Sequence, residues 1–147
     1  MVDIVEKPTR SKMMSGIRGK DTGLERRLRS ALHGIGLRFR KHRKDLPGTP
    51  HIVFPRWNAA VEVRGCFWHR HEGCRLSANP DDITGKWAAK FDANVSRDKR
   101  NQAELCKLGW RVAIVWECAV RTHGDGVIAD RIAEWLRSDE ILAEFGG

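Results

Sequence analysis

At 147 residues, with 41% hydrophobic and 31% charged content, the chain suits one soluble domain with a single core. It holds no apolar run near the roughly 18 residues of a membrane span, and its N-terminus, MVDIVEKPTRSKMM, lacks a secretion signal, so a cytoplasmic protein is expected. The net charge of +8 lies in the first third: residues 1–45 hold 13 Lys/Arg against 5 Asp/Glu, and residues 46–147 hold 14 of each.

Residues 1–20 read as a basic arm at the head of one domain spanning 1–147. Such an arm favours a polyanion, most often nucleic acid, over the alternative of a merely solvated surface. Thr22-Gly-Leu-Glu25 fits a capping box, with Glu25 reaching back to the helix start. Leu24, Leu28, Ala31, Leu32 and Ile35 follow at helical spacing, and Gly36 closes the helix. Leu37–Lys41 alternates like a short strand, and residues 45–50 form a turn. His51–Phe54 and Ala59–Arg64 read as a hairpin.

Leu76–Asp82 is a polar loop, and Thr84–Leu108 a long helix with Trp87, Phe91, Val95, Leu105 and Leu108 on one face. Trp110–Trp116 is an apolar, buried strand. Thr122–Gly126 reads as a loop before a last helix, Val127–Leu136. The order α, β, β, β, α, β, α predicts an α/β protein, a mixed β-sheet flanked by helices.

The stretch GCFWHRHEGC, residues 65–74, concentrates the chemistry. Four cysteines without an export signal point to metal binding or free thiols rather than disulfides. Cys66, His71, Cys74 and, just past the buried strand, Cys118 form the thiolate-imidazole set of a structural zinc site. The alternative is that these thiols are small core residues, the natural reading of Cys106 inside the long helix. Four protein ligands leave no open position, so such a metal braces rather than catalyses. His69 stays outside this set, either as a proton carrier or as support for the loop. Phe67 and Trp68 are adjacent; in an extended segment they would point opposite ways, so one core would not bury both. Apolar wedges of this kind can enter and unstack base steps.

These residues carry a family resemblance. Thr9–Lys12, Ile17–Thr22, Leu46-Pro-Gly48, Pro50, Ile52–Arg56 and Gly65-Cys-Phe-Trp-His69 resemble, in order, the very-short-patch-repair (Vsr) DNA mismatch endonucleases. Trp87, Asn94, Arg97-Asp98, Leu108–Val112 and Val115-Trp-Glu-Cys118 continue the match over nearly the whole chain. The resemblance implies a restriction-endonuclease-like PD-(D/E)xK fold with a structural zinc, and Mg²⁺-dependent nicking 5′ to the T of a T:G mismatch left by deaminated 5-methylcytosine. It implies a monomer, with a functional link to a cytosine-5 DNA methyltransferase. By position, Phe67, Trp68 and Trp87 would insert beside the mismatch, and Lys90 and Asn94 would contact DNA; the basic arm, with Arg10 and Lys12, would grip the backbone by its charge. His69 would be the general base or acid, and Glu25 an active-site carboxylate.

One position departs. After Pro50 the family pattern has a metal-binding aspartate, and this chain has His51. Mg²⁺ takes oxygen ligands, so imidazole replaces a carboxylate poorly. Glu62, the Val63 carbonyl and water can compensate, and His51 can take a softer ion such as Mn²⁺; equally, Glu62 can be a strand residue paired with Arg64, and Glu25 a cap alone. Three readings follow: a mismatch-directed nicking endonuclease, a mismatch-binding protein that does not cut, and a zinc hydrolase of a small substrate, which would need an open zinc position.

Overall fold

The computed structural model describes residues 23–77 and 85–146, without the side chains of residues 85–87. Arg10, Lys12, Thr22 and the Trp87 side chain lie outside what is described.

Helix α1 spans Gly23–Gly34 and buries Leu28 and Leu32, one turn apart. It ends in a Schellman turn: Gly36 adopts φ +94°, and the N–H groups of Gly36 and Leu37 reach the carbonyls of His33 and Leu32 at 3.0 and 3.1 Å. Ile35 follows the last helical turn and is exposed, against the periodic reading. Strand β1 is only Arg40–Lys41, because just these two residues pair with β2, Ile52–Phe54. A 3-10 turn over Pro55–Trp57, closed by Asn58 at φ +49°, leads into the antiparallel strand β3, Ala59–Arg64. This is the expected hairpin.

Helix α2, Gly85–Lys107, crosses to β4, Arg111–Trp116, which runs parallel to β3. Leu108, read as part of its apolar face, follows the last turn and is exposed. Two short-range expectations then change. Residues 122–123 close a helix, α3, Glu117–His123, and α4 begins at Asp125 and runs to Arg137, with Gly124 at φ +91° between them. A fifth strand, β5, Leu142–Phe145, adds parallel to β4. The sheet order is β1-β2-β3-β4-β5.

Strand alternation sorts the core into two layers. Val61 and Val63 of β3 and Ala113 and Val115 of β4 meet Leu28 and Leu32 of α1 and Ile128 and Ile132 of α4. Ala60, Val112, Ile114 and Trp116 pack on the other side with Leu105 of α2, Cys66 and Cys118. Glu62 and Arg64 share the parity of Ala60, as expected from the sequence, and therefore stand on the α2 side. The last pair of the β3–β4 ladder is Arg64 with Trp116. The carboxyl ends of two parallel strands thus lie side by side, the place where open α/β sheets hold their sites.

Candidate active site and metal centre

Cys66 and Cys118 each come two residues after the paired strand ends Arg64 and Trp116, so the ladder brings them together across 52 positions of sequence. The Cys118 N–H donates to the Cys66 Sγ at 3.4 Å, and His71 Nδ1 lies 3.6 Å from Cys66 Sγ and 3.3 Å from Cys118 Sγ. With Cys74, the four donor atoms fall within 4.8 Å of one another. Zinc bonds of about 2.0–2.3 Å in a tetrahedron set neighbouring donors roughly 3.5 Å apart, so this set fits zinc. Cys66, His71, Cys74 and Cys118 would hold it with no position left over. Burial pushes the Cys66 thiol above its ordinary pKa, so metal uptake must displace a proton there. The His71 ring stacks on Trp116 at 4.1 Å, and the Trp116 Nε1–H donates to Glu144 of β5 at 2.6 Å. Cys106 is half-buried beside this core layer and outside the donor set.

The loop after Cys66 is not extended. The His69 and His71 N–H groups bond back to Gly65 and Cys66 at 3.1 and 3.0 Å, winding the segment into a turn. This corrects the expectation for the aromatic pair. Phe67 and Trp68 do not diverge; their rings meet edge to face at 5.0 Å, and Phe67 meets Phe91 of α2 at 5.4 Å. Trp68 is 8% exposed, and Phe67 is half-buried. Asn94 Nδ2 donates to the Trp68 carbonyl at 3.0 Å, and its Oδ1 accepts from Arg97. Lys90 sets its ammonium 5.2 Å from the Trp68 ring, and Arg70 lies over Phe91 at 4.2 Å.

The wound loop turns His69 toward α2, where its Nδ1 lies 2.6 Å from Asp98 Oδ2. Asp98 fell inside a matched block of sequence, but no local signal links it to a histidine 29 residues earlier. Arg64 Nε stands 4.0 Å from the same carboxylate oxygen, and Arg64 Nη2 donates to Glu62 Oε2 at 3.2 Å. Glu62 and Arg64 are both buried. Burial raises the Glu62 pKa; the nearby Arg64 charge opposes this, and Asp98 adds to it.

A second charged group adjoins the first. Glu25, 1% exposed, turns its carboxylate inward. Its Oε2 accepts from Arg29 Nη1 at 3.0 Å and lies 2.8 Å from His42 Nε2, and its Oε1 lies 3.4 Å from His51 Nε2. His42 was not singled out in the sequence. The Val63 N–H donates to His51 Nδ1 at 3.0 Å. That nitrogen therefore offers a lone pair, and in the neutral ring the proton sits on Nε2, facing Glu25. A metal-ligating histidine has the reverse arrangement, donating through its second nitrogen. Burial lowers the His51 pKa against the pull of Glu25, and His42, His69 and Arg64 lower it further. The expectation that His51, Glu62 and Val63 hold a divalent cation therefore does not fit: His51 presents an N–H, and Glu62 is occupied by Arg64.

Together, the fold and site define a zinc-type Cys₃His centre at the carboxyl ends of parallel strands, beside a charged cleft bearing a His-Asp pair. The profile of the family described as DNA mismatch endonuclease Vsr matches residues 2–75. The type II nicking enzyme V.XorIIP of Xanthomonas oryzae pv. oryzae is 48% identical over 124 residues, covering 84% of this chain and 90% of its own. The DNA mismatch endonuclease Vsr of Escherichia coli is 43% identical over 147 residues, 98% of this chain and 94% of its own. The type II nicking enzyme V.NmeAIP of Neisseria meningitidis is 37% identical over 121 residues. The chain belongs to the Vsr DNA mismatch endonuclease family. No described helix is long and apolar enough to cross a membrane.

Proposed function

We propose that this chain recognises T:G mispairs in duplex DNA and nicks the strand 5′ to the mispaired T, acting as a monomer in the cytoplasm alongside a cytosine-5 methyltransferase. The observation that carries this reading is the pairing of His69 with Asp98 at 2.6 Å, on a loop wound from the Cys66–Cys74 centre. Asp98 fixes the His69 ring through Nδ1. That leaves Nε2 to take a proton from the attacking water or return one to the leaving 3′ oxygen. Arg64 places its guanidinium next to the same carboxylate, where a phosphate's developing charge would be met.

Phe67, the more exposed of the two rings, would lead the wedge, with Trp68 packed edge to face against it at 5.0 Å. Lys90 and Asn94 contact Trp68 from α2, and by family position they would touch DNA as well. Trp87 is assigned to DNA contact by family position, and Arg10 and Lys12 by the positive charge of the basic arm. A T:G pair is cheaper to open than a matched one, so the wedge converts pairing strength into selectivity.

The test is a nicking assay on paired duplexes differing only in T:G against T:A. Nicking of the T:G duplex alone, lost in His69→Ala, is the expected result. Equal cutting of both duplexes would overturn the mismatch reading. A second reading, mismatch binding without cutting, is favoured by the Glu25–His51 contact; it is distinguished by tight T:G binding with no nick.

A further inference from the structure

The family reading leads one to look for a hard cation between residue 51 and the β3 backbone. The backbone half of such a site is present. Val63 lies past the end of the β2–β3 ladder, whose last paired residue on that side is Val61 opposite Ile52. The N–H and C=O of one strand residue point to the same side, so the Val63 carbonyl faces residue 51 as its N–H does. The side-chain half is inverted.

We infer that the Glu25–Arg29–His42–His51 network occupies the place of the cation, so that this chain binds neither Mg²⁺ nor Mn²⁺ there and draws its positive charge from Arg29 and Arg64. The inference extends the proposed function, resting on it only for where the DNA phosphate lies.

Three contacts carry it. Both oxygens of Glu25 face nitrogen: Oε2 faces Arg29 and His42 at 3.0 and 2.8 Å, and Oε1 faces His51 at 3.4 Å. A Mg²⁺ ion demands near-octahedral oxygen at about 2.0–2.1 Å and would have to displace both imidazoles. The His51 ring cannot simply turn its lone pair outward, because Val63 N–H holds Nδ1 at 3.0 Å. The remaining carboxylates are committed as well: Glu62 to Arg64 at 3.2 Å, and Asp98 to His69 at 2.6 Å. Releasing Glu62 would leave the buried Arg64 charge without its carboxylate. The Cys66, His71, Cys74 and Cys118 donors form a separate centre of their own.

The experiment uses the zinc-loaded full chain in Mg²⁺-free buffer, with Mn²⁺ added and free Mn²⁺ followed by its electron paramagnetic resonance signal. The wild-type chain is expected to leave Mn²⁺ free into the millimolar range, and His51→Asp to take up about one equivalent that Mg²⁺ competes away. Saturable uptake of one equivalent by the wild-type chain overturns the inference. A folded His51→Asp chain that still leaves Mn²⁺ free overturns the role given to position 51. Binding to a T:G duplex in the same Mg²⁺-free buffer is measured in parallel. Its loss would remove the mismatch reading and leave the cation result standing.

Discussion

In the proposed reaction Asp98 would act through His69, whose Nδ1 it holds at 2.6 Å. Bound at Nδ1, the imidazole keeps one tautomer and one orientation, which is the condition for general acid–base work at Nε2. His69→Ala is expected to lower nicking by about 10²- to 10⁴-fold. Asp98→Asn should lower kcat by a smaller factor while leaving T:G affinity and Tm near wild type, a pattern that separates positioning from folding. His51 makes a different prediction. Its folded pKa lies below the ordinary histidine value, burial being the main cause. Between that ordinary value, about 6.5, and the lower folded one, the unfolded chain binds a proton the folded chain refuses. Stability from this residue is therefore present above about pH 6.5 and is lost as pH falls toward the folded value. Urea unfolding across pH 7.5 to 5.5 should show this decline, and His51→Gln should flatten it. An identical slope in the variant would assign the decline to other groups. Neither Asp98 nor His42 was legible as a partner in the sequence. Each meets its histidine or carboxylate only after α1, β1 and α2 have packed.

At the scale of elements, what could be read was what repeats. The two hairpin strands, β4 and α2 announce themselves by alternation or helical spacing, and GCFWHRHEGC by its donors. The elements that escaped have no such signal. The residues of α3 follow a buried strand directly, and the helix is secured by packing of Ala119 and Val120 into the first core layer. The β5 segment is short, at the sheet edge, and half exposed, with a burial pattern too shallow to separate from a tail. Its place is set by the β4 ladder and by Glu144, which accepts from Trp116, the ring stacked on His71. The metal centre thus joins three strands' ends. Cys118→Ser is expected to release zinc to a weak chelator and to lower Tm, by about 2–4 °C for each kcal/mol of binding energy lost. A small-substrate zinc hydrolase would instead keep its metal in that variant, with altered turnover. Truncating the first core layer offers a comparison: Leu32→Ala, with its side chain fully buried, should cost about 2–5 kcal/mol without touching zinc content.

Across the whole molecule, the charge excess of the first third does not end with the arm. Arg38, Arg40, Lys41 and Lys44 are exposed around β1 at the sheet edge, and Arg40, Lys41, His42 and Arg43 line a cleft of about 550 Å³ with Phe39 and Pro55. His42 connects that cleft to Glu25, so the basic edge leads directly to the charged site. Two physical roles compete for these cations. Charged residues on an edge strand discourage pairing with another chain, whatever the partner. Alternatively, they grip phosphates and fix the register of the duplex while the wedge tests the base pair. Salt dependence decides between them, because each neutralised phosphate releases condensed counterions and contributes about 0.9 to the slope of log K against log salt. The triple variant Arg40→Gln, Lys41→Gln, Lys44→Gln should flatten that slope by about 0.9 for every phosphate it no longer neutralises. It should weaken T:G and T:A duplexes alike, since backbone contacts carry no base information. Fluorescence anisotropy from 50 to 200 mM salt gives both quantities. An unchanged slope, with new self-association of the variant, would assign the basic edge to solubility and leave DNA contact to residues elsewhere.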